Sequence, residues 1–156
     1  MHRALIALVL SIPLALGLSI RPTEASQGQV GGPYAPFVGS WSGHSFRLEV
    51  SAGGTAFAVY RTYAWCGAQQ HAGCDRLIGN QLYAGGLWAA SLQTPKGTSV
   101  GGVIGASADT SLDGTTVRLV RAPRDLLLLT WGATGHRINM TLCGPQALPS
   151  TRACGA

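Results

Sequence analysis

Alternation of apolar and polar residues, in short segments separated by glycine-bearing turns, limits most of this chain to extended structure. Phe46, Leu48 and Val50 alternate with charged residues, and Ser51-Ala52-Gly53-Gly54 follows as a chain reversal. A period of two places every second side chain on one face of a strand, whereas a helix needs a period near 3.6. The pattern therefore predicts a β-hairpin beginning near residue 46.

The second strand of this hairpin is predicted from residue 57 onward. Phe57, Val59, Tyr63 and Trp65 are expected to share one face of it, with Tyr60 on the opposite face. The same pattern predicts further strands at residues 82–92, 100–108, 117–120, 126–131 and 138–142. The polar loop between the second and third strands spans residues 66–80.

Seven or eight short strands, joined by short turns, predict an all-β fold. The four consecutive leucines from Leu126 to Leu129 are expected to lie in a strand that is buried on both faces. No segment after residue 25 has a convincing helical period, so a mostly antiparallel topology is favoured over a parallel βαβ one. The remaining alternatives are a small, mostly antiparallel sandwich and an up-and-down barrel.

The first 25 residues have the three parts of a secretory signal peptide. A cationic start at Arg3 precedes an apolar run from Ala4 to Ile20, and small residues at Thr23 and Ala25 suit a signal peptidase. An uncleaved membrane anchor is the alternative. Residues 26–36 are expected to form a flexible leader, and residues 37–156 a disulfide-stapled β-domain that is secreted, extracellular or held in the cell envelope.

Four cysteines follow the apolar segment, and an even number in an exported chain predicts two disulfides. The pairing Cys66–Cys74 with Cys143–Cys154 is favoured because each bond closes a short loop. A metal site using Cys74 is the alternative, but no C-x-x-C pair is present. No metal and no other cofactor is expected.

Positive charge is distributed along the chain rather than concentrated in one stripe. The formal net charge is +5, and only Arg118, Arg121 and Arg124 are clustered, around a turn at Pro123. Nucleic-acid binding requires a denser basic surface, so no nucleic-acid partner is expected. Weak attraction to an anionic envelope polymer is compatible with this charge.

Two glycine-bearing motifs resemble functional motifs without having their chemistry. Gly39-Ser40-Trp41-Ser42-Gly43 has a tryptophan where a nucleophile elbow has its serine. The glycines of the segment 101–106 precede no helix and lack phosphate-loop spacing, so close strand packing is expected there. Trp41 is expected to pack at one end of the domain.

Hydrolytic chemistry is a further alternative. It would use His44 or His136, with a nearby serine such as Ser45 and a carboxylate from Asp75 or Asp125. Such a triad is recognised by the relative positions of its three side chains, and a sequence alone does not give those positions.

Aromatic side chains are the other candidates for a binding site. The candidates are Tyr60, Tyr63, Trp65, Trp88 and Trp131. The favoured interpretation is that these aromatics form the core of a domain with few other large apolar residues. On an exposed strand face they would instead stack on a sugar or line a groove, and Tyr60, Tyr63 and Trp88 are the binding residues expected in that case. Trp65 is expected to pack on the adjacent disulfide.

The stretch Gly39-Ser40-Trp41-Ser42-Gly43-His44, the mid-chain Cys66 and Cys74-Asp75, and the ending Cys154-Gly155-Ala156 resemble small exported proteins of actinobacteria. That resemblance covers residues 37–156 and implies secretion and a paired-cysteine β-domain, without an activity. The Gly39-Ser40-Trp41 triplet is also similar to the G-x-W opening of lipocalin-type barrels, where the tryptophan closes one barrel end.

These features together favour binding over catalysis. The expected function is a secreted or envelope-associated interaction module whose partner is an envelope glycan, a lipid or a protein. A small extracellular hydrolase and a structural envelope component are the alternatives.

Overall fold

The computed structural model of the chain describes residues 31–67 and 73–147, together with Cys154. The predicted signal peptide (1–25), the first part of the predicted leader (26–30) and the Gly155-Ala156 ending lie outside the described residues. Residues 31–36 form tight turns, and Tyr34 packs against the hydrophobic core.

Eight strands form a closed antiparallel barrel, which confirms the all-β antiparallel prediction and selects the barrel over the sandwich. Each barrel strand pairs with its neighbours along the chain, and β1 pairs with β10 to close the ring. A separate two-stranded sheet, β4–β5, is inserted between β3 and β6. The strands are β1 (Gly39–Gly43), β2 (Phe46–Val50), β3 (Thr55–Tyr60), β4 (Arg76–Ile78), β5 (Gln81–Tyr83), β6 (Gly86–Leu92), β7 (Ser99–Ser107), β8 (Thr116–Ala122), β9 (Leu126–Gly132) and β10 (Ile138–Cys143). A short 3-10 helix, Thr110–Leu112, lies between β7 and β8.

Side chains fill the barrel interior, as is usual for an eight-stranded barrel. The alternation predicted for β2 is confirmed, because Phe46, Leu48 and Val50 are buried while Arg47 is exposed. The other large side chains of the core that are less than 2% exposed are Phe37, Val100, Ile104, Leu119, Leu127, Leu129, Leu142, Val117 and Trp88.

Phe57 and Val59 share one face of β3, as predicted, but the strand ends at Tyr60, so the predicted extension to Tyr63 and Trp65 is wrong. Phe57 and Val59 point to solvent, 43% and 36% exposed, while Ala56 and Ala58 are fully buried inside the barrel. The physical reason is the space taken by Trp88, which pairs across the ladder with Ala58 and fills the interior at this level. Alternation defines two faces of a strand, and the volume of the neighbouring residue decides which face is inside.

The leucine run is also not buried on both faces. Leu127 and Leu129 point into the core, but Leu128 is 44% exposed. A barrel has only one interior, and the outer surface of β9 is not covered by a second layer among the described residues. The run therefore alternates like the other strands despite its uniform composition.

One end of the barrel is closed by Trp41 and its neighbours, as predicted for this tryptophan. Trp41 is 2% exposed, and its Nε1 donates to the Phe37 carbonyl at 2.8 Å. The Arg121 guanidinium lies 4.5 Å from the Trp41 ring, a cation–π contact. Tyr34 adds a hydrogen bond from its hydroxyl to the Leu92 carbonyl at 3.1 Å.

Both favoured disulfides are confirmed. Cys66 and Cys74 lie 5.1 Å apart between Cα atoms, and Cys143 and Cys154 lie 5.7 Å apart. Two disulfides are typical of a protein that folds in an oxidising, extracellular environment. Within the described ranges no helix has the length and apolar character needed to cross a membrane.

Candidate ligand-binding site

A pocket of about 400 Å³ lies at the barrel end opposite Trp41. This end is formed by the β1–β2 turn, the chain leaving β3, the 3-10 helix and the start of β10. The apolar part of the lining consists of Phe46, Leu112, Trp131, Ile138 and Met140. The polar part consists mainly of His44, Ser45, Tyr60, Arg61, Tyr63 and Asp109.

Barrel closure explains why the pocket lies here. The register between β1 and β10 pairs Ser42 with Cys143, and β1 ends one residue later at Gly43. Because the strands are antiparallel, the first half of β10 extends beyond the end of β1. Ile138 and Met140, on that extension, therefore face the pocket rather than a β1 partner.

Four aromatic rings form the floor of the pocket. Phe46 stacks on Tyr60 with ring centroids 5.5 Å apart, and it lies 5.2 Å from the Trp131 ring. Trp88 contacts both Phe46 and Trp131, at 6.4 and 6.3 Å. These separations are within the range for favourable aromatic pairs, so the rings support one another as a rigid base.

Two indole N–H groups in this cluster have no hydrogen-bond partner among the described residues. They are Nε1 of Trp88 and Nε1 of Trp131, and both atoms are inaccessible to solvent. A buried donor left unpaired costs about 1–3 kcal/mol, so native proteins rarely leave one without an acceptor. Of these two tryptophans, Trp131 also lines the pocket.

Tyr60 forms the transition between the floor and the rim. Burial, and secondarily the negative charge of Asp109, raises the pKa of the Tyr60 hydroxyl above its ordinary value. The hydroxyl therefore stays protonated at physiological pH and is able to donate as well as accept a hydrogen bond.

The rim is held by a hydrogen bond between two residues with left-handed backbones. Ser45 has φ of 55° and Tyr63 has φ of 59°, a region that side-chain-bearing residues seldom adopt. The Tyr63 hydroxyl donates to Ser45 Oγ at 2.9 Å and joins the β1–β2 turn to the chain that follows β3. Backbone strain of this kind is concentrated at binding and active sites.

Asp75 lies beneath the part of the rim that follows β3 and holds its backbone in place. Its side chain is fully buried and accepts backbone N–H bonds from Thr62 (3.1 Å), Tyr63 (3.0 Å) and Gly85 (2.8 Å). Arg61 Nε is 3.3 Å from the same carboxylate. Burial by itself raises the pKa of the Asp75 carboxyl, but these four donors outweigh it and the pKa is lowered.

Arg61 extends this arrangement to the surface. Its guanidinium carbon lies 4.6 Å from the centroid of the Tyr63 ring and 5.5 Å from that of Trp65. Both rings are 56% exposed. Trp65 is thus a surface residue that contacts an arginine.

The three predicted binding residues divide between the pocket and the core. Tyr60 and Tyr63 line the pocket, whereas Trp88 is fully buried in its floor and is not exposed on a strand face. Sequence reasoning did not assign Phe46, Ile138 or Met140 to a site, because their strands meet only when the barrel closes. Trp131 was among the aromatics considered, but its unpaired donor has no sequence signal.

The residues of the hydrolase alternative lie in different places. His44 and Ser45 line the pocket, while His136 lies in the β9–β10 connection. The Asp75 carboxylate lies below the rim, where it accepts hydrogen bonds from Arg61 and from three backbone N–H groups. Asp125 lies at the opposite end of the barrel, where it accepts from Arg121 (2.8 Å) and from the Gln146 backbone N–H (2.8 Å).

A second concavity, of about 470 Å³, lies on the outer surface of β7–β10. Its polar side chains bond largely to one another or to near neighbours: Arg118 Nε donates to Ser99 Oγ at 3.1 Å, and Thr130 Oγ1 bonds Asn139 Oδ1 at 2.7 Å. Trp131 lines both concavities, and the pocket at the barrel end is the better candidate because more of its lining is apolar. In the described part of the chain no three His, Cys, Asp or Glu side chains are grouped closely enough to hold a metal ion.

A scan against protein-family models finds no match to this chain, and searches of curated proteins and of solved structures find none either.

Proposed function

We propose that this protein is a secreted or envelope-associated binding protein, and that it holds a small, mainly apolar molecule in the pocket at the end of its barrel. The predicted signal peptide and the two disulfides support an extracytoplasmic location. Binding rather than catalysis is supported by a pocket whose walls are largely apolar and whose floor is a rigid aromatic cluster.

The single observation that carries this proposal is Trp131. It lines an apolar pocket, it is 2% exposed, and its Nε1–H has no acceptor among the described residues. A ligand with an apolar body and one hydrogen-bond acceptor, such as a carbonyl or ether oxygen, satisfies both features once the side chains that cover Nε1 move to admit its oxygen. A volume of about 400 Å³ is in the range of small-molecule sites.

The polar rim adds a second requirement on the ligand. The protonated Tyr60 hydroxyl and the Arg61 guanidinium are donors near the mouth. Their positions favour a ligand whose outer end is polar, while its inner end contacts the rings. Ligands without a polar outer end are expected to bind more weakly because these donors would lose water without gaining a partner.

Filling the pocket is the direct test. Ile138→Trp adds a large side chain at the mouth, where the residue is 49% exposed, so we expect the fold to tolerate its replacement. Binding of 2-acetylnaphthalene, a probe with an apolar body and one carbonyl, is expected to fall at least tenfold by fluorescence titration.

The matched control is Leu128→Trp on the adjacent strand, where the residue is 44% exposed on the outer face of the barrel. This control should bind the probe as the natural chain does. Equal affinity in both variants, or no binding of the probe to the natural chain, would rule out the proposed pocket.

A further inference from the structure

The β4–β5 hairpin presents apolar side chains to solvent on both of its faces, Leu77 and Leu82 on one and Ile78 and Tyr83 on the other. Leu77 and Ile78 are each 60% exposed, Leu82 is 39% exposed and Tyr83 is 43% exposed. These four belong to a sheet of only six residues, all of them exposed, that is not hydrogen-bonded into the barrel. A cluster of this kind on so small an element is typical of a surface that contacts a partner.

The hairpin lies at the same end of the barrel as the pocket. Residues 61–85 leave β3 at Tyr60 and return to β6 at Gly86, and both points are at the pocket end. Tyr63 and Trp65, each 56% exposed, flank the same insertion. We call the exposed side chains of Tyr63, Trp65, Leu77, Ile78, Leu82 and Tyr83 the apolar tip.

The charge around the apolar tip has one sign. From Arg61 to Leu92 the only acidic residue is Asp75, which is fully buried and paired with Arg61. Because Asp75 offsets Arg61, the segment keeps one net positive charge, at the exposed Arg76, and the whole chain has a net charge of +5. The partner that complements this surface is therefore anionic as well as apolar.

We propose that the apolar tip docks on an anionic lipid bilayer. Tyrosine and tryptophan are enriched at the level of lipid headgroups, aliphatic side chains enter the acyl region, and arginines attract anionic lipids. The tip has all three classes of side chain on one insertion. A second copy of the chain fits less well, because a two-fold contact through the tip would bring the arginines of both copies together.

Docking in this orientation places the pocket mouth beside the membrane surface. The geometry gives an apolar ligand a path between bilayer and pocket that avoids bulk water, and this part of the inference rests on the proposed function. The docking itself depends only on the tip.

The test is sedimentation of the exported protein with vesicles. Binding is measured on vesicles of phosphatidylglycerol and phosphatidylcholine in equal parts, and on phosphatidylcholine alone. We expect binding to the anionic vesicles, at least tenfold weaker binding to the neutral ones, and loss of binding in high salt as the charges are screened.

The diagnostic variant is Leu77→Ser/Ile78→Ser, which removes the two most exposed aliphatic side chains of the tip. Its matched control is Val103→Ser/Leu128→Ser, which removes two exposed aliphatic side chains from the barrel wall, 42% and 44% exposed. We expect at least tenfold weaker vesicle binding for the tip variant and unchanged binding for the control. Circular dichroism and 2-acetylnaphthalene binding, both expected to be unchanged, report on the fold and the pocket separately.

Equal vesicle binding by the tip and control variants would overturn the proposal, since it would assign membrane contact to another part of the chain. A concentration-dependent dimer that the tip variant abolishes, without any vesicle binding, would also overturn it and assign the tip to self-association. Unchanged vesicle binding with no probe binding would leave the docking supported and the proposed function contradicted.

Discussion

Asp75 shows how one buried carboxylate organises a site that it does not touch. It is fully buried, yet its oxygens accept from three backbone N–H groups and from Arg61. These donors come from both ends of the insertion, so a single side chain connects the start of the loop at Thr62 to its end at Gly85. The rim residue Tyr63 keeps its left-handed backbone partly through this contact.

Asp75→Asn is therefore expected to destabilise the protein by about 3 kcal/mol at neutral pH, since it leaves Arg61 without its charge partner and turns an amide group toward backbone donors. The pKa of the Asp75 carboxyl is lowered in the folded state. Its stabilising contribution is thus complete above the ordinary aspartate pKa of about 3.9, and is lost as pH falls from there through the folded-state value.

Urea unfolding of the natural chain and the variant between pH 7 and pH 2 measures this difference. The gap in unfolding free energy should narrow as the pH falls below about 4. Asp113→Asn is the control, because Asp113 is an exposed carboxylate that accepts a hydrogen bond from Ser107 at 2.6 Å. A gap that stays constant with pH would show that Asp75 contributes by shape alone.

At the scale of the element, the insertion between β3 and β6 carries both the rim and the apolar tip. The Asp75 network closes the base of the insertion, and the Cys66–Cys74 disulfide crosslinks it internally. The paired glycines at its end let it contact the barrel closely. A Cβ at Gly85 would overlap the Cys74 backbone, and a Cβ at Gly86 would overlap the Tyr60 ring. The absence of side chains at these two positions allows the insertion to press against the end of the barrel.

Gly86→Ala is expected to destabilise the protein by about 1–3 kcal/mol, because the added methyl group displaces the Tyr60 ring from its stack on Phe46. It should also weaken probe binding, since Tyr60 lines the pocket. Gly105→Ala in β7 is the matched control, as an added Cβ there meets no atom within 4 Å. Thermal unfolding and probe titration of both variants check this, and equal behaviour would contradict the packing described here.

At the scale of the molecule, the sequence predicted most strands and both disulfides, but it left the barrel and the sandwich as alternatives and did not predict the full pocket. Strand β4, Arg76–Ile78, lies in the segment 66–80 that was predicted as a polar loop, so that part of the prediction is wrong. Alternation around Phe46 and glycine-bearing turns were sufficient for strand positions, because both signals are local. Which face of β3 points into the barrel could not be predicted, because it depends on Trp88, in the neighbouring strand, filling the interior. Trp88 itself lies in the core, which is the favoured interpretation of the aromatics from the sequence.

The pocket was only partly predictable because its residues come from distant parts of the chain. Ser45, Tyr60, Leu112 and Ile138 are brought together by the closing of the ring, which depends on the register of all eight strands. Tyr60 and Tyr63 were found through their residue type. Whether a donor such as Trp131 Nε1 is left unpaired depends on how the side chains pack, and the sequence does not show it.

The central claim, that Trp131 offers its indole N–H to a ligand in the barrel, is tested most directly by NMR. The four tryptophans give four indole N–H signals, and Trp131→Phe assigns the relevant one by its loss. Addition of 2-acetylnaphthalene should shift the Trp131 indole signal downfield, with a smaller change on addition of 2-ethylnaphthalene, which has the same rings and no acceptor. An unchanged Trp131 signal at saturating probe, or equal shifts with both compounds, would contradict the account.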